Sequence, residues 1–272
     1  QVFVKLQRYY GKNVLQMLTD KAIEKGIGIC AITSEEVEIP KKSVHDRLSR
    51  LFYGYKDSLH LDYSSSRLGE NAFSVKKRES EVLFVNGQTV MVVENGERFD
   101  HLIVGSNQVP NGKPWDYTLK YCRDNGLLQI AEHPTAQFHF GLGKKRLEKF
   151  SDYFDAVEGF NAQFIIPESA SFLPVIGKYN HGINEAAKKI ALYLNKPYVA
   201  TSDSHSVDCM GTAYIKTSQP IRKDTEENLL ADIKEIVRNG KFETVEKYQD
   251  FASWLSWTSR FILGEKLGLQ TG

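Results

Sequence analysis

The sequence predicts a parallel α/β fold, open or barrel, with barrel-like closure favoured, and three observations predict it. Seven short apolar runs recur along the chain, most are followed by a helical pattern, and the runs are continuously apolar rather than alternating. Parallel strands read that way because their helical crossovers bury both faces of the sheet. Seven runs over about 215 residues favour one closed unit over two domains.

In chain order the runs are VFVKL (2–6), IGICAIT (27–33), VLFV with TVMVV (82–93), HLIVG (101–105), LLQIAEH (127–133), FDAVEGF (154–160) and PYVATSD (197–203). Between them lie helices. Residues 14–25 carry apolar side chains at 14, 15, 18, 22 and 23 and stop at Gly26, a helical spacing with a glycine terminator. Residues 115–125 end on Asn125-Gly126, a natural C-cap. Residues 182–195 place Ile183, Ala187, Ile190, Ala191 and Leu194 on one face, and DTEENLLADIKEIVRNG is a capped amphipathic helix with Leu229, Leu230, Ile233, Ile236 and Val237 inward. Residues 40–81 break the rhythm as a long insertion after the second strand, of the length that lids and extra structure take. The barrel unit is therefore expected over 1–240. A helical extension is expected over 241–272, its Phe251, Trp254, Leu255, Phe261 and Ile262 packing on the barrel or meeting a protein partner.

Composition narrows the function. The net charge of +1 draws the protein to neither nucleic acid nor anionic lipid. No stretch approaches the ~18 apolar residues of a membrane span, and no signal-peptide pattern opens the chain. Cys30, Cys122 and Cys209 lie far apart with no CxxC pair, which predicts reduced thiols and a cytoplasmic location. Dinucleotide, P-loop and Gly-x-Ser-x-Gly signatures are absent.

The chemistry gathers where apolar strands end. YVATSDSH surfaces on Asp203 and His205, whose carboxylate and imidazole suit a divalent metal such as Zn, Mn or Fe. The same pair also suits an aspartate that caps the next helix beside a surface histidine. In parallel α/β folds sites sit at the carboxyl ends of strands. Those ends offer Lys5 and Gln7, Ser34 and Glu35, Thr89, His133, Glu158 or Asn161, and finally Asp203 and His205. His133 taken alone also reads as a structural histidine.

The segments AIEKGIGICAITSEE, LLQIAEHP, DAVEGFN and VATSDSH resemble the PHP (polymerase and histidinol phosphatase) superfamily, over roughly residues 2–240. The resemblance implies a distorted (βα)7 barrel and, in active members, metal-dependent phosphoesterase chemistry on up to three divalent ions. It also implies a degenerate site. The opening His-x-His falls on Lys5 and Gln7, a further ligand near Asn13, the Thr-Asp-His on Ser34 and Glu35, and the Gly-x-Glu carboxylate on Thr89. His133-Pro134, Asp203 and His205 are retained, and the sixth-strand motif near Asn161 lacks a His or Cys. The retained ligands would belong to different metals, and Lys5 would replace metal charge with an ammonium. His60 and Asp62 in LHLDYSSS are similar to the opening motif but follow the AIT strand instead of preceding it; His45 and His139 are lesser candidates, and His101 and His181 read as structural or exposed.

Three functions follow. The first is a PHP-fold pseudoenzyme, without bound cofactor, that serves as a binding or structural component. The second is a phosphoesterase with a reduced one- or two-metal site on His133, Asp203, His205 and Glu35. The third is a sensor of a phosphate-containing ligand or nucleotide held by Lys5, Arg8 and Arg67, with Gln7, Thr89 and Asn161 at the same strand ends. The first is the expectation carried forward.

Overall fold

The computed structural model describes residues 13–35, 47–163 and 174–250. The first apolar run with Lys5, Gln7 and Arg8, the segment with His45, and the aromatic tail from Phe251 lie outside the described residues.

Helix α1 (Val14–Glu24) starts where Asn13 accepts the Gln16 N–H at 3.0 Å, and ends on Lys25 ahead of Gly26 at φ +68°. Asn13, expected near a ligand position, is instead a helix cap. Strand β1 (Ile29–Glu35) follows. The insertion is folded: α2 (Arg47–Tyr55), β2 (Tyr63–Arg67) and β3 (Ala72–Lys77) lead into β4 (Ser80–Glu94). Then come β5 (Glu97–Val104), α3 (Trp115–Asp124), β6 (Leu128–Ala131), the short α4 (Lys144–Lys149) and β7 (Ala156–Asn161). Helix α5 (Pro174–Tyr193), β8 (Tyr198–Thr201), β9 (Tyr214–Lys216), α6 (Glu226–Arg238) and β10 (Glu243–Val245) complete the order.

The sheet corrects the expected all-parallel barrel. Pairs β1–β4, β6–β7 and β7–β8 are parallel, but β2–β3, β3–β4, β4–β5 and β5–β6 are antiparallel. Among the described residues the eight strands run β2-β3-β4-β5-β6-β7-β8, with β1 against β4, and do not close on themselves. The cause is local. Asn95 and Gly96 both have positive φ, +54° and +81°, a two-residue hairpin turn that leaves no room for a crossover. Strand β4 is long enough to take β1 along one edge while β3 and then β5 share the other.

Two layers cover one face. Val90, Val92, Phe99, Ile103 and Val157 pack with Trp115 and Leu119 of α3, Leu147 of α4 and Ala191 of α5. Phe73, Val75, Val82 and Phe84 meet Val14 and Leu15 of α1 and Leu48, Leu51 and Phe52 of α2. Each such fully buried side chain contributes roughly 1.5–3 kcal/mol. On the opposite face Leu83, Val85, Val104, Leu128, Ile130, Ala156 and Val199 form an apolar floor with Leu229 and Val237 of α6. Helix α6 sits where β6 begins, its Lys234 Nζ donating to the Leu127 carbonyl at 2.8 Å. The other end of that face carries the polar residues.

The described part of the C-terminal extension is strand β10, paired antiparallel with β9, followed by a segment that packs back on the body.

Candidate functional site

Period-two alternation along a strand puts Thr89, Glu132, Glu158 and Thr201 on the same face as Val85, Ile130, Ala156 and Val199 of the apolar floor. Asn161 would fall on the opposite face from Glu158 by that rule. The register against β8 shifts between Glu158 and Phe160, so that Glu158 pairs with Val199 and Asn161 with Thr201. This irregularity at Gly159 re-aims Asn161 into the site, as bulges do. A Cβ on Gly159 would meet the Tyr198 side chain at 2.6 Å.

Glu158 is the buried centre, 3% exposed. Its Oε2 accepts the His133 backbone N–H at 2.7 Å, and its Oε1 accepts Asn161 Nδ2 at 3.2 Å and the Thr201 hydroxyl. Burial pushes its carboxyl up to about 7, with the negative charge of Asp203 adding to the rise and the three donors opposing it.

Asp203 stands half-buried beyond β8, in the left-handed conformation at φ +43°. Its Oδ2 accepts Asn161 Nδ2 at 3.1 Å, and His205 Nε2 lies 3.4 Å from its Oδ1. Burial raises this carboxyl, but the hydrogen bond and charge of His205, with Asn161 and His133, outweigh it and leave it below the usual value. His133, also left-handed at φ +24°, is pushed down to about 4, chiefly by burial, against the pull of Asp203. His139 lies with its ring centroid 6.4 Å from that of His133 and is lowered by burial too.

A second row flanks this centre. Thr89 Oγ1 donates to Glu132 Oε1 at 3.1 Å, and that oxygen is 3.9 Å from His133 Nε2. Arg98 Nε donates to Asp100 Oδ1 at 3.0 Å, its guanidinium lies 4.3 Å over the Phe140 ring, and its charge helps lower His133. Glu35 is placed by its backbone, opposite Thr89 in the β1–β4 register.

The structure thus brings together His133, Asp203, His205, Thr89 and Asn161, all expected from the sequence. It adds Glu132, Thr201 and Arg98, sets the lesser candidate His139 beside His133, and gives Glu158 the central place. Glu132 continues the inward alternation of LLQIAE, the signal that would have found it. Arg67, expected to grip an anion, stands on edge strand β2 instead. There it donates to the Glu70 carbonyl at 2.8 Å with its guanidinium over Phe52 and Tyr53. His60 faces Asp62 on the exposed surface.

Among the described residues no three His, Cys, Asp or Glu side chains form a group that could hold a metal ion. The donor chemistry agrees. The Asn161 amide nitrogen lies between the two carboxylates and donates to both, where a bridging cation would need acceptors alone. The described side chains do not fit a divalent metal in this arrangement.

Residues 182–236 match a sequence family described as PHP-associated. No curated protein matches the chain. In fold it is similar to PsfC from Pseudomonas syringae PB-5123, at 12% identity and a TM-score of 0.55, over 93% of this chain and 89% of that one. It is also similar to a two-domain protein from Bacteroides vulgatus ATCC 8482 containing a predicted PHP-like metal-dependent phosphoesterase. There the identity is 13% and the TM-score 0.51, over 86% of this chain and 60% of that one. The PHP-associated match over residues 182–236 thus falls within a fold similar to that of a protein containing a predicted PHP-like phosphoesterase.

Proposed function

We propose that this PHP-fold protein has given up metal-dependent phosphoester hydrolysis and works as a binding or structural component. One observation carries the reading: the Asn161 amide joins Glu158 to Asp203 by hydrogen bonds of 3.2 and 3.1 Å. A carboxyl displaced to about 7, as Glu158 is, must also lose its proton before it can ligate. Without a metal to acidify bound water from ~15.7 toward ~7, the usual hydrolytic nucleophile is not generated. The ligand class we assign is phosphate-containing, with Lys5, Gln7, Thr89 and Asn161 as its candidate contacts. A protein partner would meet the aromatic tail from Phe251 on. Cys30, Cys122 and Cys209 are buried free thiols, which supports a cytoplasmic location. No helix among the described residues is long and apolar enough to cross a membrane.

The second reading is a reduced one-metal site. It is favoured by the His205–Asp203 approach of 3.4 Å and by the field of Asp203 at both His133 and His139, with Glu35 as a further ligand. Elemental mass spectrometry on protein expressed with manganese, iron and zinc separates the readings, together with hydrolysis of bis-p-nitrophenyl phosphate. The binding reading expects no stoichiometric metal and no turnover. Metal near one per chain, lost in Asp203→Asn, establishes the second. Turnover with a full complement of metals overturns the first.

A further inference from the structure

The segment after β10 returns across the strand ends that carry Asn161 and Asp203. Gln249, 3% exposed, donates its backbone N–H to the Ala162 carbonyl at 3.2 Å and its side-chain Nε2 to the Ser202 carbonyl at 2.9 Å. Ala162 follows Asn161 and Ser202 precedes Asp203, so one residue ties the end of β7 to the end of β8.

Its neighbours reinforce the tie. The Tyr248 ring packs on Phe160 with centroids 4.8 Å apart, and its hydroxyl lies 3.5 Å from Asn184 Nδ2. Asn184 in turn accepts the Asn161 backbone N–H at 3.1 Å and donates to the Asn161 carbonyl at 3.2 Å. Glu246 pairs with Lys188 at 2.6 Å.

Two features separate this arrangement from ordinary packing. Asp203 is left-handed at φ +43°, a conformation that a residue other than glycine keeps only when its surroundings fix it. The carbonyls on either side of that peptide are both held, Ser202 by Gln249 and Asp203 by Gln163 Nε2. Among the described residues the buried Gln249 Oε1 has no hydrogen-bond partner, whereas its Nε2 is used.

We propose that residues 246–250 form a latch over the candidate site, with Gln249 as its positioning residue, holding Asp203 in the backbone conformation that presents its carboxylate to Asn161. Drawing the segment off the body releases Asp203 and dissolves the Asn161 bridge. The site and the chain beyond Asp250 are thereby linked. The latch goes beyond the non-hydrolytic reading and holds whether or not the site turns over.

The test is amide hydrogen exchange on the full chain carrying Gln249→Met, which keeps side-chain volume and removes the donor, alongside Gln249→Ala. Amides of residues 161–163 and 203–205 should exchange at least about tenfold faster in both variants, with β4 and β5 unchanged. The side-chain amide signals of Asn161 in a nitrogen-15 spectrum should move upfield as the bond to the Asp203 carboxylate is lost. Wild-type exchange and an unmoved Asn161 signal in Gln249→Met mean that the residue only fills space, and overturn the latch. A uniform acceleration along the whole chain overturns it equally. Should Gln249→Ala fail to fold, the methionine variant decides alone.

Discussion

Replacing Asp203 by Asn should lower the titration midpoint of Glu158 by about one unit, from about 7 to about 6. The magnitude follows from the shared donor. Asn161 Nδ2 is 3.2 Å from Glu158 Oε1 and 3.1 Å from Asp203 Oδ2. The two oxygens therefore stand no more than roughly 6 Å apart, where unit charges interact by about 1.4–2.8 kcal/mol at an effective dielectric of about 20–40. Asp203 is half-exposed, which favours the lower figure. Burial is the larger cause of the Glu158 displacement and survives the substitution, so the midpoint stays well above the ordinary 4.5. Carboxyl carbon-13 NMR reads the midpoint directly. The same shift fixes a sign for stability. The folded state holds the Glu158 proton more tightly than the unfolded chain, so its contribution is full below about 4.5 and is lost as pH rises to about 7. The loss is about 3 kcal/mol in all. A wild-type midpoint near 4.5, or one that Asp203→Asn leaves in place, would refute the argument that the two carboxyls share one buried donor.

His101 is fully buried, 3.1 Å from Gln129 Oε1 and edge-on to Trp115 and Phe154, and burial pushes it down to about 4. Its contribution to stability is full above 6.5 and is lost as pH falls toward 4. His101→Leu should therefore remove about 1.4 kcal/mol per pH unit of slope between pH 4.5 and 6, read by urea unfolding against wild type. Gly141→Ala would set a Cβ 2.4 Å from the His133 carbonyl oxygen. The loop must shift, costing about 1–3 kcal/mol. As the His133 N–H leaves Glu158, the Glu158 midpoint should rise above its wild-type value in the same NMR titration.

Much of the sheet was legible because buried strands are apolar whatever their direction. Every run within the described residues became a strand, and all four helical patterns became helices. Direction was not legible from that signal. The hairpin cue lay in Asn95-Gly96, between TVMVV and HLIVG, and the continuous apolar pattern outweighed it. The apolar run starts at His101, four residues inside the strand, which leaves Arg98 and Asp100 outside the pattern. At the site, His133, Asp203 and His205 were visible because polar groups ended apolar runs. The Glu158–Asn161 partnership was not, because alternation assigns residues three apart to opposite faces. Only the irregular register at Gly159 reverses that.

The branching of β4 also divides the sheet by the length of chain each pairing must close. Strands β2 to β5 are joined by the connections 68–71, 78–79 and 95–96, so their ladders form between near neighbours in sequence. Pairing β1 with β4 instead spans the whole insertion, and β7 and β8 meet only across α5. Chain entropy makes closing a loop of some fifty residues dearer than closing a two-residue turn by about 3 kcal/mol. The insertion therefore supplies a meander that assembles from local contacts, while β7, bearing Glu158 and Asn161, and β8, which leads to Asp203, join through distant ones. The buried centre of the polar cluster, Glu158 with Asn161, is thus built on the half of the sheet whose assembly carries the greater entropic cost.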